Sequence, residues 1–140
     1  MRFDVVRGED RVRLEKRVVV SPRCDLGAGP CTRPLPDGSD VTLELAPRPL
    51  RAMTDLSVRV ELREPPRAGP PPAVVLSFSM PGMAMGRNEA RLAPAGGGAF
   101  EGRAVLVRCA SGRRDWTAEV RVERPGGPAR SARFHLEARE

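Results

Sequence analysis

The 140-residue chain predicts an all-β fold, an antiparallel β-sandwich of about seven to nine short strands. Three observations carry this. Apolar and polar residues alternate with period two in several short runs, most cleanly in "VTLEL", "LSVRVEL" and "TAEVRVE". Fifteen prolines and fourteen glycines fall between those runs as turn signals. No segment sustains a 3-4 apolar spacing, and proline is too dense for long helices.

Each element follows from its own residues. The run 12–20 opens with Val12 and Leu14 alternating against Arg13 and Glu15 and ends in three valines. The stretch 24–40, rich in Gly and Pro, reads as irregular. In 41–46 Val41, Leu43 and Leu45 form one face. In 56–62 Leu56, Val58, Val60 and Leu62 do the same. "PPRAGPPP", residues 65–72, is one stiff loop. Strands are expected at 74–79 and 89–93, then at 100–107 after the turn "AGGG". After "SGRRD", strands 116–123 and 131–137 complete the set. Trp116, the one tryptophan, reads as a core plug between two sheets. The whole reads as a single domain over 1–140, with 1–40 as an N-terminal segment that carries a cysteine loop.

Composition narrows the function classes. Hydrophobic residues are 40% and charged residues 30%, as in a soluble globular domain. Aromatics are only 4%, so the core must be mostly Val, Leu and Ala, and a base-stacking surface is not expected. The formal charge is +6, carried almost wholly by arginine, with Lys16 the lone lysine. In "RVRLEKR", "VRVELRE" and "AEVRVER" a charge stands at every second position, the pattern of a wet strand face. Nothing concentrates the charge, so a nucleic-acid partner is not expected. No stretch reaches the roughly 18 apolar residues of a membrane helix, and no opening run resembles a signal peptide. An enzyme is not expected either. No histidine accompanies a Cys or Ser nucleophile in a recognisable pattern, and Cys24 and Cys31 lack the CxxC spacing of redox motifs.

Three cysteines, Cys24, Cys31 and Cys109, cannot all pair within one chain. Cys24 and Cys31 enclose a Gly- and Pro-containing loop that can close as a disulfide. A Cys31–Cys109 bridge is equally open, and it would remove Cys109 from any metal site. Structural thiols and metal-ligating thiols also remain open.

"MPGMAMG", residues 80–86, gathers three of the five methionines at one bend. Pro81 and Gly82 carry the signature of a type II turn, which brings the Cα atoms of Met80 and Met83 within about 7 Å. Met85, two residues on, points to the same side in extended chain. Thioether sulfur is soft and neutral and suits Cu(I), whereas hard ions want oxygen. If consecutive strands run up and down from Val41 onward, Met53, Met80, Met83, Met85 and Cys109 all fall at one end of the sandwich. These five are the candidate metal ligands. The alternative is packing: methionine is a flexible filler that contacts aromatics well, and the bend then seals the core against Trp116 or Phe78. His135, the sole histidine, alternates with Phe134 and Leu136 and reads as a surface or packing residue.

The chain resembles the YtkA-like domain family. The resemblance runs in order through Met80, Met83, Met85, Leu92, Gly98, Phe100, Glu101, Gly102, Gly112 and Trp116, and it covers about residues 41–137. It implies an immunoglobulin-like sandwich and a periplasmic or otherwise extracytoplasmic location. It also implies a role in copper handling or in the assembly of copper oxidases. The expected function is then a non-enzymatic Cu(I)-binding module that carries or buffers copper. Its partners would be the copper ion and a copper-receiving membrane or periplasmic protein. An exported protein would also pair two of its three cysteines as a disulfide. The second reading is a metal-free immunoglobulin-like interaction domain.

Overall fold

A computed structural model gives the protein's structure and describes residues 24–65, 69–80, 88–106 and 115–138. Among these, eight strands and no helix are found. They are β1 (Cys31–Pro34), β2 (Asp40–Ala46), β3 (Asp55–Arg63), β4 (Ala73–Ser79), β5 (Glu89–Gly96), β6 (Ala99–Val105), β7 (Asp115–Glu123) and β8 (Arg130–Glu137). Seven of them match expected runs to within a few residues. The expected strand at 12–20 lies outside the described residues. β1 is an addition: "CTRP" is too short to show alternation, and pairing defines it, with Cys31 opposite Leu43 and Thr32 opposite Thr42. The Thr32 and Thr42 hydroxyls meet at 2.7 Å across that pair.

The strand order is β1-β2-β3-β6-β5-β4-β7-β8, and every neighbouring pair is antiparallel. The all-β antiparallel expectation therefore holds. The layering differs from the expected sandwich, because the strands form one nearly closed, barrel-like sheet. The physical reason lies in β5. Its residues Glu89 to Leu92 pair with β4, and its residues Ala93 to Gly96 pair with β6. The strand thus passes from one half of the sheet to the other, with a register irregularity between Pro94 and Gly96. Proline lacks a ladder donor and glycine relaxes the backbone, so the bend falls where the sequence permits it. At the far side β1 and β8 approach each other, and Asp25 bridges to His135 in parallel sense.

Alternation decides what faces inward. Leu56, Val58, Val60 and Leu62 of β3 are buried, as are Trp116, Ala118, Val120 and Val122 of β7. The remaining strands add Val41, Leu43, Leu45, Leu76, Phe100, Phe134 and Leu136 to one core. Each fully buried Val or Leu contributes about 1.5–3 kcal/mol. Trp116 stands as the expected plug, edge-on to Phe78 with centroids 6.5 Å apart. The intervening charges make outer-face ladders such as Arg59–Glu61 at 3.2 Å and Arg121–Glu123 at 2.8 Å. Exposed pairs of this kind are worth little individually. No helix among the described residues is long and apolar enough to cross a membrane.

Candidate functional site

Strand directions place the sulfur-bearing segments. β2, β4 and β6 run toward one pole of the barrel, and β3, β5 and β7 run away from it. The connections 47–54, 80–88 and 106–114 therefore all join strand ends at this pole. β1 begins there and β8 ends there, so the loop 24–31 belongs to it too. Met53 lies in the first connection and Met80 at the start of the second. Met83 and Met85, together with the expected type II turn, lie outside the described residues, as does Cys109 in the third connection.

Hydrogen bonds tie the connections to one another. Met53 N–H donates to Leu106 O at 2.7 Å, which joins the first connection to the start of the third. Phe78 N–H donates to Asn88 O at 3.0 Å, which pins the two ends of the methionine connection together. The loop 24–31 adjoins the first connection, since a Cβ added at Gly29 would lie 3.3 Å from Arg48 Nη1.

The two described methionines differ sharply. Met80 is only 2% exposed and belongs to the core cluster that also holds Phe78 and Trp116. Met53 is 60% exposed and has φ of 60°, a left-handed backbone conformation that few residues other than glycine adopt. One thioether thus sits in the core and another in solvent at the same pole. Sequence spacing gave no signal for this split, because methionine suits both environments.

Cys24 and Cys31 form a disulfide with Cα atoms 5.8 Å apart. This settles the two pairings left open by the sequence and rules out a Cys31–Cys109 bridge. Cys109 is then the one cysteine of the chain outside that bond. His135 is exposed on β8, as expected for a surface histidine. Among the described residues no three of His, Cys, Asp and Glu converge to hold a metal ion.

Among the described residues, the opposite pole holds linked ion pairs that the alternation pattern did not single out. Glu64 accepts from Arg124 Nη2 at 2.8 Å and lies 4.0 Å from Arg130 Nη2. Asp37 Oδ1 accepts from Ser39 Oγ at 2.6 Å and from Ser39 N–H at 3.1 Å, and its Oδ2 pairs with Arg130 Nη1. The Ser39 hydroxyl, the Ser39 amide and the Arg130 guanidinium hold the Asp37 carboxyl at about 2, below its ordinary 3.8. A folded value below the unfolded one makes this contribution complete above 3.8, and it is lost as pH falls through about 2. Asp37→Asn is expected to be less stable than wild type at pH 7 and to converge with it as pH approaches 2. Urea unfolding at pH 7, 4 and 2 measures this. A gap that stays constant across that range would place the effect in the hydrogen bonds and not in the charge.

No protein-family profile, no curated protein and no solved structure matches this chain.

Proposed function

We propose that this protein is an extracytoplasmic, non-enzymatic Cu(I)-binding module that carries or buffers copper at its sulfur-bearing pole. Met80, Met83 and Met85 are the principal donors, and Met53 and Cys109 add to them. The observation that carries the reading is the common pole. Strand directions lead the three sulfur-bearing connections to one end, and the Met53–Leu106 hydrogen bond draws two of them together. Soft, neutral thioethers bind Cu(I) without releasing protons and exchange it readily to a receiving membrane or periplasmic protein. The Cys24–Cys31 disulfide supports an oxidising compartment. The YtkA-like resemblance supports the same class, and an immunoglobulin-like sandwich is part of that proposal.

One observation favours the second reading. Met80 is buried in the core beside Phe78 and Trp116, as a filler would be, and a metal-free interaction domain needs nothing more from it. Anaerobic Cu(I) titration against a competing chelator separates the two. Met80→Leu removes a thioether while conserving volume, which typically costs under about 1.5 kcal/mol. Combined with Met83→Ala and Met85→Ala, it is expected to weaken an otherwise stoichiometric site by at least about tenfold, or 1.4 kcal/mol. Equal, weak binding by both proteins would end the copper reading. In that case Met80→Ala should lose about 2–5 kcal/mol of stability, the cost of a core cavity.

A further inference from the structure

Met53 is the one large apolar side chain that stands exposed among the described residues. The segment around it is anchored on every side. Leu50 before it and Leu56 after it are buried, and Ala52 packs against the core. The Met53 N–H donates to Leu106 O at 2.7 Å, and Thr54 Oγ1 donates to Ala52 O at 3.4 Å. The backbone of Met53 is left-handed, with φ of 60°, a region that disfavours any residue with a Cβ. Neither the exposed apolar surface nor this backbone conformation adds stability. Residues held in such conformations persist because their surroundings fix them, and they gather at functional positions. What the anchors hold in solvent here is a thioether, a polarizable and oxidisable sulfur.

We propose that Met53 is a reversible oxidation site of this protein, and that Met80 at the same pole is its protected counterpart. The oxidant is hydrogen peroxide or another two-electron oxygen donor. The sulfur lone pair attacks one peroxide oxygen, an S–O bond forms and the O–O bond breaks. The proton of the transferred hydroxyl passes to the departing hydroxide, which leaves as water. Sulfur is oxidised by two electrons to the sulfoxide, and the peroxide is reduced by the same two. Exposure sets the rate, because the oxidant must reach sulfur. Met53 meets it without any opening of the fold. Met80 is buried in the core cluster that holds Phe78 and Trp116, so it meets oxidant only when that part of the structure opens. The sulfoxide is polar, yet at Met53 it forms on a solvent-facing side chain and leaves the core packed. The same access lets a methionine sulfoxide reductase return the thioether. The inference does not rest on the copper reading, because it needs only an exposed sulfur. Where Cu(I) is bound, the reaction also replaces a soft sulfur donor with a hard oxygen.

Dilute hydrogen peroxide, applied to the full metal-free chain in buffer and in concentrated urea, tests it by peptide mass spectrometry. Cleavage after arginine places Met53 in residues 52–59 as their sole methionine. It places Met80 in residues 68–87, where fragmentation separates it from Met83 and Met85. Met53 is expected to gain oxygen in the folded protein at nearly its rate in urea. Folding should slow Met80 by at least about tenfold. A methionine sulfoxide reductase with its dithiol reductant, acting on the folded oxidised protein, should return residues 52–59 to their original mass. Folding that slows Met53 as much as Met80 would overturn the proposal, because the thioether would then be covered in solution. Oxidation of Met80 as fast as Met53 in the folded protein would remove the protected counterpart and overturn it too. A Met53 sulfoxide that the reductase leaves in place would overturn its reversibility.

Discussion

Trp116→Ala is expected to cost about 3–5 kcal/mol, the usual range for deleting a buried aromatic. A domain of this size has only about 5–15 kcal/mol in hand, so the variant should sit near its unfolding midpoint under mild denaturant. Trp116 is only 2% exposed and presents its ring at 80° to Phe78. Such edge-on pairs add about 0.5–1.5 kcal/mol beyond area burial. With few aromatics in the chain, no neighbour has the volume to refill the hole. The position also matters for the candidate site. Trp116 is the second residue of β7, at the pole where Met80 leaves β4, and both belong to the same core cluster. Urea unfolding followed by circular dichroism measures the loss, and Trp116→Phe should recover much of it. A cost below about 1.5 kcal/mol would mean that the indole does not fill the core in solution.

Gly98→Ala should be nearly as damaging, by a different route. Gly98 has φ of +84°, a conformation that costs an L-residue roughly 1–2 kcal/mol. A Cβ there would also lie 2.7 Å from the backbone oxygen of Leu62. That oxygen cannot swing aside, because Leu62 belongs to β3 and its N–H donates to Gly98 O at 2.8 Å. The turn between β5 and β6 is thus pressed onto β3, and relief requires backbone movement. The sum is expected to exceed about 2 kcal/mol. Gly97 is the internal control. It too has positive φ, at +63°, but nothing lies within 4 Å of an added Cβ. Gly97→Ala should cost only the conformational share, about 1 kcal/mol. Equal losses in the two variants, by urea midpoint at constant slope, would show that the approach to Leu62 relaxes freely.

Most strands were legible from residues alone because alternation is local. In β3 and β7 each residue's polarity states which face it takes, and no knowledge of neighbours is needed. The same locality explains the up-and-down direction of the connections, which brought Met53, Met80 and the segments leading to Met83, Met85 and Cys109 to one pole before any pairing was known. It also explains why the charges read as wet faces.

Partner choice is not local, and there the tertiary structure decided. β1 exists because β2 pairs with it, since its four residues carry no period of their own. β5 runs on to Gly96 because two different strands take its two halves, and this turns an expected sandwich into a nearly closed sheet. Cys31 had two equally plausible partners along the chain, and the meeting of Cys24 with the start of β1 selected one. Met80 and Met53 are chemically identical, yet one is drawn into the core at the end of β4 and the other is held in solvent by a backbone bond to Leu106. A thioether is apolar enough to bury and polarizable enough to expose. Its sequence therefore encodes a soft, adaptable side chain, and only the packing of the strands around it determines which role it takes.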